Sequence, residues 1–295
     1  MDRRGGSGIA LVLAGICSVQ AGASVAKLLF EHLDPAAVTW LRLAFASLIL
    51  LVVARPKVRA WDRRTWRAVV LLGVALAGMN LMFYVAMERI PLALAVTLEL
   101  LGPLVLALVL SRRWVEAAWV LLAGCGVGII GAQSLTGALD ALGVLLALAA
   151  GACWAGYILA SHRVGELVPG VGGLTAAMCI AAVLTTPFGA VGAVTGVAAQ
   201  PWLLLPALGV AILSSALAYA FELAALRRIP PRVFGVLMAL EPVAAGLFAL
   251  AIVGEGIGGL QMLALGIVVV AAAGVALTAA KEPTVTPDTG AIVQQ

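Results

Sequence analysis

Ten times along this chain about twenty residues pass almost without a charge, and that recurrence constrains the fold more than any single motif. The runs lie at roughly 8–30, 36–54, 68–87, 91–110, 117–133, 139–160, 170–191, 202–225, 233–253 and 260–279. About 20 apolar residues let a helix cross ~30 Å of hydrocarbon, and a helix satisfies its backbone polar groups within its own segment, as lipid requires. Composition agrees, with 63% of residues hydrophobic and 11% charged, against about 45–50% and about 25% in soluble domains. The expected fold is therefore all-α and integral to a membrane, with ten transmembrane helices.

Two of these runs echo each other. Residues 86–110, AMERIPLALAVTLELLGPLVLALVL, align without a gap to 225–249, ALRRIPPRVFGVLMALEPVAAGLFA. The shared Arg89-Ile90-Pro91 and Arg228-Ile229-Pro230, followed twelve residues later by Pro103 and Pro242, are hard to obtain from apolar bias alone. Each copy sets an acid beside its second proline: Glu99 before Pro103, Glu241 before Pro242. Proline-interrupted hydrophobic segments at matching positions of two halves point to a transporter's binding site. Five runs precede the second set, so the second half enters the membrane upside down. The reading is of two inverted-topology five-helix repeats, 8–133 and 139–279, with a seam at Leu135 to Asp140 and a disordered cytoplasmic tail over 281–295.

Orientation follows from the basic residues. With the N-terminus in the cytoplasm, fifteen of the eighteen Lys and Arg fall in inside segments. Arg89 and Lys27 lie at the outer side and Arg42 within the membrane. Both termini are then cytoplasmic, and the net charge of +4 reflects topology rather than nucleic-acid binding. The stretch RPKVRAWDRRTWR at 55–67 reads as a headgroup-facing anchor rather than a ligand site. The first run, with Arg3 and Arg4 ahead of it, is too long for a signal peptide and carries Gln20 and Lys27, so it is read as a membrane anchor. Cys17, Cys125, Cys153 and Cys179 fall inside runs, which predicts small buried hydrophobes and no disulfide framework.

Polar residues inside the runs are the candidate site. Gln20, Ser24 and Lys27 share one helical face at i, i+4, i+7; Lys27 either snorkels to water or serves the pathway. Arg42 lies six residues into its run, about 9 Å deep, and calls for an anion or an acidic partner. Asn80 and Tyr84 share a face and either line a cavity or bond a neighbouring helix. Pro103 frees the carbonyl of Glu99, at the depth of that residue's carboxyl, and an intramembrane acid costs about 2.5–3.5 kcal/mol. Gly124, Gly128 and Gly131 are expected to form a face for close helix packing. Trp154, Tyr157 and Ser161 are interfacial anchors or pathway lining. Ser215, Tyr219 and Glu222 form a polar stripe, in which Glu222 either meets water or pairs with Arg227 or Arg228, and Glu255 is read as an outer-rim residue.

The chain holds no GxxxxGK phosphate loop, no HExxH zinc site and no G-x-S-x-G nucleophile elbow. It is read as a non-enzyme that needs no cofactor or metal, with energy drawn from a gradient.

These features resemble a known family. SVQAGASVAK (18–27), TWLRL (39–43), GMNLMFY (78–84), RIPLALAVTLELLGPL (89–104), SRR (111–113), GACWAGYIL (151–159), AILSSALAY (211–219), FELAALRRIP (221–230) and RVFGVLMALEP (232–242) are similar to paired EamA domains of the drug/metabolite transporter superfamily, in its amino-acid exporter branch. The resemblance implies ten spans, a cytoplasmic N-terminus, a central site between the halves, and export of small amino acids such as threonine and homoserine from the bacterial inner membrane, against protons. An amino-acid zwitterion needs an acid for its ammonium, for which Glu99 is the candidate, and donors for its carboxylate, for which Arg42, Tyr84, Asn80 and Tyr219 are candidates; Gln20, Trp154 and Tyr157 complete the predicted lining. Glu241 is the candidate proton carrier, with Glu99 and Glu222 as further candidates, because desolvation disfavours the charged form of a carboxyl. The roles of Glu99 and Glu241 are exchangeable. Expected partners are a small-molecule substrate, protons and the bilayer, for a monomer or homodimer. Two alternatives stand beside this reading: an exporter of another metabolite or of a lipophilic cation, held by Glu99 with Trp154, Tyr157 and Tyr84 as an acidic aromatic cage, and a membrane scaffold or receptor whose buried acids only pair with Arg42.

Overall fold

A computed structural model of the chain describes residues 3–111, 114–135, 139–218 and 237–279, with Phe221, Ala225 and Arg228 between them. Among the described residues every regular element is helical: α1 (Arg3–Leu29), α2 (Pro35–Ala54), α3 (Arg63–Arg89), α4 (Leu92–Glu99), α5 (Leu101–Ser111), α6 (Trp114–Leu135), α7 (Ala141–Leu167), α8 (Gly172–Ala199), α9 (Leu204–Ala211), α10 (Glu241–Phe248) and α11 (Gly259–Ala279). Short 3₁₀ turns precede α3 and α9, and π-helical segments, Ile212–Leu217 and Ala249–Val253, continue α9 and α10.

Five helical stretches are long and apolar enough to cross a membrane: Ser7–Leu29, Pro35–Ala54, Arg63–Arg89, Ala141–Leu167 and Gly172–Ala199. Five shorter apolar stretches, Leu92–Leu106, Ala117–Ile130, Pro201–Leu217, Glu241–Val253 and Gly259–Gly274, occupy the other apolar runs. Local chemistry sets several ends. Asp62 caps α3 by accepting from the Thr65 N–H at 2.8 Å, and Asp140 caps α7 by accepting from the Gly143 N–H at 3.0 Å, each satisfying an otherwise unpaired donor. Pro35 opens α2, where its missing N–H costs nothing.

The helices pack around α4, whose residues 92–98 are all buried. A segment apolar on every side belongs at the centre of a bundle, and LALAVTL is such a segment. The most extensive packings each join an element before residue 136 to one after residue 139: α3 with α7 and α8, α2 with α8, α6 with α11, α4 and α5 with α7, α1 with α9 and the π segment after it, and α4 with α10.

Two packing expectations are corrected. Gly124 and Gly128 face open space, Gly131 lies outside the residues whose surroundings are described, and it is Gly126 that meets a neighbour, where a Cβ would lie 2.9 Å from the Ala264 carbonyl of α11. The face of α6 that packs on α11 is therefore the one that carries Gly126, not the one that carries Gly124 and Gly128. Cys17 and Cys125 are exposed on the protein surface rather than buried, because the apolar surroundings of their spans include the bilayer. Tyr219, Glu222, most of the second Arg-Ile-Pro and the tail lie outside the described residues, as does the middle of the proposed seam.

Candidate functional site

The centre of the site is a helix break. α4 stops at Glu99, Leu100 forms the joint, and α5 restarts with Pro103 as its third residue. Pro103 offers no N–H to the Glu99 carbonyl, so the helical hydrogen bonding lapses where the sequence places the proline, while Leu100 keeps a right-handed helical conformation that joins the two parts. The break fits against α7 with almost no space: a Cβ on Gly151 would lie 2.5 Å from the Glu99 carbonyl oxygen, and a Cβ on Gly102 would lie 1.8 Å from the Gly151 carbonyl oxygen. Any other residue at either position drives the helices apart, so glycine here sets backbone separation. Glu99 ends about 12 Å along α4 and is half-buried.

A second break mirrors it. α10 starts at Glu241, with Leu240 as its cap and Pro242 in its first turn, and Glu241 is 8% exposed. Gly246, one turn further, faces Ala93 of α4, where an added Cβ would lie at 3.5 Å. The charged groups acting on the Glu99 carboxyl are Glu241, a like charge, and Arg42, an opposite one. Two carboxyls from the two echoing segments and one guanidinium therefore share a single electrostatic neighbourhood.

Among the described residues Arg42 makes no ion pair with the acid expected for it. Its Nη1 donates to the Tyr84 hydroxyl at 3.2 Å and its Nη2 to the Ser214 carbonyl at 3.1 Å, and the guanidinium carbon sits 5.4 Å from the Tyr84 ring centre. Its Nε has no partner among the described residues, nor have the buried Gln20 Oε1, Ser24 Oγ and Ser214 Oγ. The Ser214 carbonyl is available because the π-helical turn shifts the register of its segment; such turns recur at functional sites. Ser18 Oγ donates to the neighbouring Leu213 carbonyl at 2.7 Å. Sequence reasoning missed Ser214, since nothing in AILSSALAY signals a π turn. Ser24 did have a signal, the shared face with Gln20.

The remaining predicted residues scatter. Asn80 turns its Nδ2 back to the Leu76 carbonyl of its own helix at 2.8 Å. Tyr84, Tyr157 and Trp154 pack in three different apolar clusters: Tyr84 with α4, Tyr157 against the α3–α8 contact, Trp154 beside Leu100 and Leu104. Of the three rings, Trp154 is the one packed at the break.

A separate cluster closes the end of the bundle that holds Lys27. The Lys27 ammonium pairs with the Glu255 carboxylate and also donates to the Ile90 carbonyl at 3.0 Å, while Glu255 Oε2 accepts from the Leu92 N–H at 3.0 Å. The two charges thus clasp both sides of Pro91 at the start of α4. Beside them Arg89 pairs with Asp140 at 3.0 Å.

The EamA-like transporter family matches residues 6–135 and 141–277 of this chain. The chain belongs to that family. It is a membrane transporter, not an enzyme. It is 41% identical to the threonine/homoserine exporter RhtA of Salmonella typhimurium over 278 residues, 93% of each chain. It is equally 41% identical to the threonine/homoserine exporter RhtA of Escherichia coli K12 over 276 residues, 93% of this chain and 92% of that one. The uncharacterized transporter YwfM of Bacillus subtilis is 26% identical over 246 residues, 77% of this chain and 80% of that one. A crystal structure 20% identical in sequence covers 92% of this chain and 98% of its own with a TM-score of 0.57, a likeness of fold.

Proposed function

We propose that this EamA-family chain exports small amino acids, threonine and homoserine foremost, across the bacterial inner membrane by alternating access with proton antiport. The reading takes ten spans in two inverted repeats, with both termini in the cytoplasm. The observation that carries it is the grouping at Glu99, whose carboxyl lies in the electrostatic reach of both the Glu241 carboxyl and the Arg42 guanidinium, the latter hydrogen-bonded to a hydroxyl and a carbonyl. A zwitterion asks for that pairing of charges. In this reading Glu99 takes the substrate ammonium, and Arg42, through its unpartnered Nε and with the Tyr84 hydroxyl, takes the carboxylate. Gln20 and Ser214 stand ready for a side-chain hydroxyl, and Glu241 carries the proton. The substrates for which the relatives are named favour an amino acid over a lipophilic cation.

The packing scheme supports the repeat. Exchanging α1 with α7, α2 with α8, α3 with the α9 segment, α4 with α10 and α6 with α11 carries α3–α7 onto α1–α9 and α3–α8 onto α2–α9, and returns α2–α8, α4–α10 and α6–α11 each to itself, as expected of a duplicated bundle.

Radiolabelled threonine in vesicles tests the roles. Glu99→Gln is expected to abolish both net proton-driven transport and threonine counterflow. Glu241→Gln is expected to abolish net transport while leaving counterflow, which needs substrate exchange but no net proton movement. Loss of counterflow in Glu241→Gln with retention in Glu99→Gln would reverse the assignment, and full net transport by both variants would remove the mechanism.

A further inference from the structure

α3 is 27 residues long, about 40 Å from end to end, and the end away from Arg89 carries a second polar feature. There Arg63, Arg64 and Arg67 face Arg163 of α7 across a cleft of about 600 Å³, completed by Asp62, Ala68 and Leu71. The acids nearby are already engaged. Asp62 accepts from the Thr65 N–H at 2.8 Å, and Glu166 pairs with Arg163, with His162 at 3.7 Å. Among the described residues no carboxylate pairs with Arg63, Arg64 or Arg67. Four guanidiniums thus stand against the Asp62 carboxylate in the cleft wall and the Glu166 carboxylate on Arg163, which leaves a net positive site for an anion.

What lies next to it selects the anion. Arg64, Arg67, Leu71 and Val74 fall at i, i+3, i+7 and i+10 of α3, one helical face. Leu71 is 64% and Val74 50% exposed, so a basic mouth continues into an uncovered apolar strip along the helix. Trp61 and Trp66 stand beside the mouth with ring centres 5.4 Å apart, as aromatics do at a membrane–water boundary. A soluble phosphate would use the arginines and leave the strip idle. An amphiphile uses both.

We propose that this cleft binds the phosphodiester headgroup of an anionic phospholipid, with an acyl chain lying along Leu71 and Val74. Arginine forks suit phosphate oxygens, and basic pockets between helices are a recurrent form of headgroup recognition. Because the cleft joins α3 to α7, the lipid bridges two elements that pack on each other at the centre of the bundle. The sequence alone reads 55–67 as an unspecific anchor; the contribution of Arg163 from a distant helix is what turns it into a site.

Native mass spectrometry of the detergent-purified protein, titrated with phosphatidylglycerol, phosphatidylcholine or inorganic phosphate, tests this without any transport measurement. The expected result is one retained phosphatidylglycerol, little phosphatidylcholine, and a loss of about thirty-fold in apparent affinity on replacing two cleft charges, as Arg64→Gln with Arg67→Gln. Lys57→Gln with Arg59→Gln removes the same charge from exposed positions outside the cleft and is expected to leave affinity within about two-fold. Equal losses in both double variants would reduce the effect to diffuse charge. Displacement of the lipid by inorganic phosphate at similar concentration would make this a free-phosphate site, and no retained lipid would end the proposal. None of these outcomes bears on amino-acid transport.

Discussion

Lys27 and Glu255 each looked, at the level of one residue, like a charge at the edge of a helix. Their side chains retain only 11% and 22% exposure, so each depends on the other and on the two main-chain groups that complete the cluster. Removing one partner leaves an uncompensated charge. Lys27→Met or Glu255→Met alone is therefore expected to destabilise the folded protein by about 2 kcal/mol, less than the ~3–5 of a fully buried pair because both groups keep some water. The double Met variant should recover much of that loss, and a thermal-unfolding cycle in which the two single losses simply add would show that the ion pair is not coupled. Arg42 teaches a similar lesson. Its depth announced that it needed a partner, but its partners, a tyrosine hydroxyl and a carbonyl from a π turn, come from 42 and 172 residues away and have no acidic signature.

At the scale of elements, the interrupted span α4–α5 carries the argument. Pro103 explains why the helix parts, and the glycines explain why the parted ends stay close to α7. Replacing Pro103 with Ala restores a donor to the Glu99 carbonyl and favours one continuous helix. The expected outcome of Pro103→Ala is a protein as stable as the wild type or more so, with threonine efflux reduced by about ten-fold because the carboxyl and carbonyl of Glu99 no longer face the site together. Wild-type efflux from Pro103→Ala would separate the break from function. Sequence foresaw this break because proline acts locally. It did not foresee the π-helical segments at Ile212–Leu217 and Ala249–Val253, both of which pack on α1, some two hundred residues earlier in the chain.

For the whole molecule, every leading contact crosses from the first half to the second, so neither half has its main packing partners within itself. Under the alternating access proposed above, movement between inward and outward states would slide these cross-half contacts, and the Lys27–Glu255 clasp would hold one end closed. In a background with the four native cysteines replaced by serine, Lys27→Cys with Glu255→Cys, bridged by a reducible bis-methanethiosulfonate linker, is expected to stop threonine efflux and to regain it on reduction. Continued efflux after complete bridging would mean that this end does not open during transport. The sequence by itself determined that the chain lives in a bilayer, where its apolar helices run, where proline interrupts one of them and which acids lie within those apolar stretches, because hydrophobicity, proline and charge act through near neighbours along the chain. Only the tertiary structure decided that Arg42 bonds a tyrosine hydroxyl and a carbonyl, that Glu255 secures Lys27, that Gly126 rather than Gly124 or Gly128 meets α11, and that Arg163 closes a cleft begun a hundred residues earlier. Those facts depend on which helix faces which across the bundle, and many sequences with the same apolar rhythm would pair their faces differently.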